Sequence, residues 1–111
     1  MNSLSAKQVF IALAKKYNFG NVQRCCTRYA NCQTDYHIVF ISKSGHSCIS
    51  LGYANDNNVW SSVKHFKSHT WTGMLHELEG LTIAIGSECL KVNSIEELMI
   101  SLELEGYLKN V

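Results

Sequence analysis

Proline is missing altogether from this 111-residue chain, so no proline-marked linker divides it. Long apolar runs are missing too: the longest, Val9 to Ala14, falls far below the ~20 residues of a membrane span. The N-terminus lacks a basic stretch leading into a long apolar segment and a small-residue cleavage site, so it does not read as a signal peptide. Low-complexity tracts and internal repeats are also lacking. A content of 46% hydrophobic and 17% charged residues is that of a folded chain rather than a disordered one. These absences lead to the expectation of a single compact domain over residues 1–111, soluble, cytoplasmic and without membrane contact.

The signatures of common enzyme chemistry are absent as well: no P-loop, no GxGxxG, no GxSxG, no HExxH and no EF-hand loop. That shifts weight toward binding, with no enzyme activity and no cofactor expected. Cysteine is present but odd in number, at Cys25, Cys26, Cys32, Cys48 and Cys89. Nothing indicates secretion, so free thiols are expected. Together with His37 and His46, four of these cysteines crowd a short stretch and raise a zinc reading. Zinc knuckles need C-x2-C or H-x3-5-H spacing, which aims two ligands at one ion, and none of the spacings here fits. If residues 21–30 form a strand, Cys25 and Cys26 point to opposite faces. No metal site is expected, and the thiols are expected to be buried as small hydrophobes.

What the chain does have is sorted charge. From Met1 to His76, eight Lys and Arg face Asp35 and Asp56; from Glu77 to Val111, seven Glu face Lys91 and Lys109. A net +1 therefore conceals a basic front and an acidic end, and charge selects which surfaces a protein attracts. Ten of the eleven aromatic rings also lie between Phe10 and Trp71. Cations and rings in one region are what unpaired nucleic acid requires. They are equally what protein-binding hot spots use.

Periodicity supplies the elements. Ala6, Val9, Phe10, Leu13, Ala14 and Tyr17 form one apolar helical face. Ser5 with Gln8 makes a capping box, Leu4 against Val9 a hydrophobic staple, and Gly20 a stop. Strands are expected at 21–30, Tyr36–Ile41 and Ser47–Tyr53, with a Gly45 turn between the last two and an Asn-rich loop at 55–58. Residues 59–79 are ambiguous: Val59–Phe66 reads as a strand and Trp71–Leu78 as a short helix. Leu81–Ile85 and Cys89–Val92 flank Gly86-Ser87, which suits a II′ hairpin. Ser94 with Glu97 opens a last helix that Gly106 and Tyr107 close in a Schellman-type stop. The fold expected is α+β: an antiparallel sheet of about four to five strands, with N- and C-terminal helices packed mainly on one face.

Function follows from the charged, aromatic front. The leading expectation is a small non-enzymatic binding protein whose partner is another protein, in the manner of an inhibitor, immunity or accessory factor. The partner-binding candidates are Arg24, Arg28, Tyr29, Trp60, Lys64, Lys67 and Trp71. The alternative is a nucleic-acid-binding module using the same residues. A third reading takes His65, His69 and His76 as one face of a continuous helix over 59–79, with Lys64 and Lys67 beside them, for cleavage of a phosphodiester. Ser68, Thr70, Thr72 and Gly73 weaken that helix.

Overall fold

The structure, a computed structural model, describes residues 5–109. The elements in chain order are α1 (Ala6–Lys16), β1 (Asn21–Arg28), β2 (Thr34–Ile41), β3 (Cys48–Ser50), β4 (Gly52–Ala54), β5 (Trp60–Val63), α2 (Trp71–His76), β6 (Thr82–Ile85), β7 (Glu88–Lys91) and α3 (Ile95–Leu104). The expected α+β class, antiparallel pairing and terminal helices are present. The strands form two sheets, ordered β1-β2-β3 and β5-β4-β6-β7.

One stretch joins the sheets. Where a single strand over Ser47–Tyr53 is expected, the chain forms β3 and β4 and changes partners between them at the fully buried Leu51. Before it, Phe40 pairs with Ile49; after it, Gly52 pairs with Val63 on one side and Ala84 on the other. Leu51 itself donates to the Ile38 carbonyl and accepts from the Lys64 amide. Farther on, Phe66 bridges back to Tyr36. Gly52 is bare because the Trp60 indole lies against it, in the space a Cβ would take.

The helix ends follow local chemistry. Ser5 Oγ accepts from the Gln8 amide at 3.3 Å, and Gln8 Oε1 accepts from the Ser5 amide at 3.3 Å, completing the expected box. The staple from Leu4 lies outside the described residues. The stop of α1 is Asn18, not Gly20: Asn18 takes φ 67° while Phe19 and Asn18 donate to the carbonyls of Ala14 and Lys15. That is a Schellman turn built on Asn, whose short polar side chain tolerates the left-handed region. At α3 only half of the expected box forms. Ser94 Oγ accepts from the Glu97 amide at 3.1 Å, while Glu79 Oε2 takes the Ile95 amide at 3.1 Å. The stop of α3 is as expected, with Gly106 at φ 85° and Tyr107 donating to the Leu102 carbonyl. At Gly86, φ is 65°, between paired Ile85 and Glu88, as a II′ hairpin requires.

One buried cluster unites the three helices with both sheets, including Phe10 and Leu13 of α1, Phe40, Leu51, Met74, Ile83 and Leu102. Burying each large side chain of this set contributes roughly 1.5–3 kcal/mol. No cysteine belongs to it: Cys26, Cys32 and Cys48 are exposed, and Cys25 and Cys89 are half-buried. The expectation of buried thiols is thereby corrected. Cys25 lies on the face of β1 opposite Val22, and Cys26 shares the Val22 face but lies farther along the strand, where the burial of Val22 gives way to exposed positions. Among the described residues no helix is long and apolar enough to cross a membrane.

Candidate functional site

Strand β1 is the edge of its sheet. Its register with β2 sets Val22 against Phe40, Arg24 against Ile38 and Cys26 against Tyr36. Since side chains alternate, the phase that sends Val22 into the core also turns Arg24, Cys26 and Arg28 toward the helical side of the sheet. There Arg24 meets Trp71, the first residue of α2. The guanidinium carbon lies 5.2 Å from the ring centroid, and Nη1 donates to the His69 carbonyl. Trp71 is half-buried and rests on Phe10 of α1, with ring centroids 5.4 Å apart. The order core ring, Trp71, Arg24 thus carries a cation from the core to the surface. A cation over an indole is stabilised by the ring quadrupole, by about 0.5–2 kcal/mol depending on exposure.

Around this stack runs an open groove of 480 Å³. One wall is β1 from Asn21 to Cys26; the other is Lys7 of α1 with Tyr36, His69 and Trp71. His69 packs near the Tyr36 ring, centroids 5.9 Å apart. Lys7 and Arg24 supply positive charge, with His69 beside them, and among the described residues no Asp or Glu lines the groove. The local field is therefore one-signed. Beyond it, the β1–β2 hairpin tip presents exposed Arg28 and Tyr29. The Tyr29 hydroxyl is held above its ordinary pKa, first by its hydrogen bond to the Asp35 carboxylate and then by that charge. The Cys25 thiol is also raised, by burial first and then by Cys48 and Cys26. It is not the lowered thiol of a reactive cysteine.

The structure thus brings Arg24 and Trp71 into contact and places Arg28 and Tyr29 at the neighbouring tip. It does not bring the other candidates to this groove. Trp60 lies on β5, 45% exposed, and walls a separate apolar groove with Ile49, Val63 and Gly86. Lys64 Nζ is 3.5 Å from Glu77 Oε1 and 5.1 Å from the Phe66 ring centroid. Lys67 is exposed, and its backbone amide donates to Glu77 at 3.0 Å. Sequence reasoning missed Lys7 and Tyr36 as groove residues and gave His69 a different role. Tyr36 enters through its pairing with Cys26, whereas the nearness of Lys7 and His69 depends on the packing of α1 against α2, which no local pattern encodes.

Glu77 is a structural anchor. Burial raises its pKa, but amide donors from Lys67 and Ser68, with Lys64 nearby, outweigh this and leave it lowered. The continuous helix over 59–79 that would set the three histidines on one face does not form. Residues 60–63 are a strand, α2 begins only at Trp71, and the three rings stand in different places. His65 Nδ1 is 3.7 Å from Asp35 Oδ2, His69 is in the groove, and His76 closes α2. Cys25 and Cys26 face opposite sides of β1, paired with His37 and Tyr36. Among the described residues no three His, Cys, Asp or Glu side chains are grouped to hold a metal ion.

Comparisons with family models, curated proteins and solved structures find no match to this chain.

Proposed function

We propose that the protein is a non-enzymatic binding protein that holds an acidic surface of another protein in the groove between β1, α1 and α2. It would act as an inhibitor, immunity or accessory factor acts, by occupying its partner. The observation that carries this reading is the groove lining: Lys7, Arg24 and His69 around Trp71, with no carboxylate lining it among the described residues. Trp and Arg are the residue types that dominate binding hot spots, and here the first is already fixed against Phe10. A pre-positioned anchor reduces the ordering cost of association. Charge of one sign speeds encounter with an acidic partner and discriminates against a basic one.

The test is capture of partners by tagged protein, compared with the Lys7→Ala/Arg24→Ala double variant. The expected result is nuclease-resistant capture of acidic proteins, reduced tenfold or more in the double variant. An unchanged set of captured proteins overturns the reading. So does capture that nuclease abolishes and that falls steeply and log-linearly with salt, the behaviour of phosphate-driven binding. That second outcome selects the nucleic-acid alternative.

A further inference from the structure

The same groove runs along a free strand edge, and that fixes how a partner would enter it. Strand β1 is eight residues long and, among the described residues, pairs only with β2. In the hairpin, the Tyr29 amide donates to the Gln33 carbonyl at 2.9 Å. Antiparallel pairs alternate between hydrogen-bonded and non-hydrogen-bonded, so this bond sets the phase of the whole strand. Asn21, Gln23, Cys25 and Thr27 turn their backbone groups toward β2. Val22, Arg24, Cys26 and Arg28 turn theirs toward the open side. The Val22 amide is already met by Asn21 Oδ1 at 2.8 Å. The amides and carbonyls of Arg24, Cys26 and Arg28 remain directed outward, on residues that are all exposed.

We infer that this edge takes an extended acidic segment of the partner as an added β-strand. The inference rests on the binding reading above and specifies its mode. Strand addition draws affinity from backbone hydrogen bonds and specificity from alternate side chains. The alternate side chains of an incoming strand that fall on the helical side stand opposite Arg24 and Arg28, about 4.5–5.5 Å away between Cβ atoms. Lys7 and His69 line the same side. Glu or Asp at every second position therefore matches the surface, and Lys or Arg there is repelled. The same charges argue against a second copy of this chain. Antiparallel pairing of two β1 edges sets the Arg24 and Arg28 rows of both copies on one face, where like charges oppose each other.

The probe is an acetylated, amidated ten-residue peptide of alternating Thr and Glu, with a Thr/Lys peptide and a short single-stranded DNA as controls. Amide hydrogen exchange of the whole protein is measured with each. The expected result is tenfold or greater slowing at the amides of Arg24, Cys26 and Arg28 with the Thr/Glu peptide alone. Cys26→Pro removes one outward donor at an edge position where proline is tolerated, and it is expected to weaken peptide binding tenfold or more. If Arg24→Ala weakens binding but Cys26→Pro does not, and the three amides stay unprotected, the strand mode is overturned and the groove reading stands. If the peptide neither binds nor protects these amides, both fall. Protection without peptide that grows with protein concentration makes the occupant a second copy and overturns the inference, as does protection by the DNA.

Discussion

Cys32 holds a backbone conformation that glycine would hold more easily. It sits at φ 68° in the Tyr29–Gln33 loop, where the Cys32 amide donates to the Tyr29 carbonyl and the chain enters the left-handed region. For a non-glycine residue this costs roughly 1–2 kcal/mol, part of which glycine gives back as chain entropy. Cys32→Gly is therefore expected to stabilise the protein by about 0.5–1 kcal/mol. The check is a higher urea midpoint at unchanged slope; a lower midpoint contradicts it. Asn18 takes the same region at φ 67°, where Gly20 is the expected stop, and Asn58 at φ 58° in the Asn-rich loop, where Asn is read from sequence as a turn former. Cysteine is not, which is why this turn was hidden. Cysteine also misled on burial, because residue type favours the interior while position near an open strand edge does not.

The segment that sequence patterns left ambiguous, 59–79, is a strand, an irregular turn and a helix held together by one carboxylate. Glu77 accepts from the amides of Lys67 and Ser68 at 3.0 and 2.9 Å and faces Lys64. Caps such as Ser5 and Gly106 are made by neighbours a few residues away, so a local reading finds them. Glu77 acts ten residues back and Glu79 sixteen residues ahead, where no periodicity reports the partner. The lowered pKa of Glu77 has a definite sign. Its stabilisation is fully present above the ordinary value of 4.5 and is lost as pH falls through the lower folded value. Glu77→Gln is expected to lower the urea midpoint near neutral pH and to flatten the loss of stability in acid. Equal acid slopes for the variant and the natural protein contradict this.

The sorted charge is partly joined by folding and partly left on the surface. Lys16 Nζ meets both carboxylate oxygens of Glu105 at 2.9 Å, and Lys64 faces Glu77, so the basic front touches the acidic end at two points. Tyr17 beside the first contact is pushed up to about 12, by burial first and then by Glu88, Glu105 and Cys89. The Lys7–Arg24 groove has no such neutraliser among its lining residues. Element types and most boundaries could be read from the sequence because they depend on adjacent residues. The groove could not, since it needs α1, β1 and α2 in register at once. Neither could the change of partners at Leu51, where the apolar pattern continues unbroken. That change has a kinetic consequence. The β1–β2 and β6–β7 hairpins join neighbours in sequence, whereas Gly52 must find Ala84 across a long stretch of chain. Closing that distance is the slow act of assembly, and Leu51 sits where both halves must be captured together. Leu51→Val, a loss of about 1 kcal/mol, is expected to slow refolding roughly fivefold and leave unfolding nearly unchanged. A chevron whose unfolding limb moves instead would place the capture of the two hairpins after the barrier rather than at it.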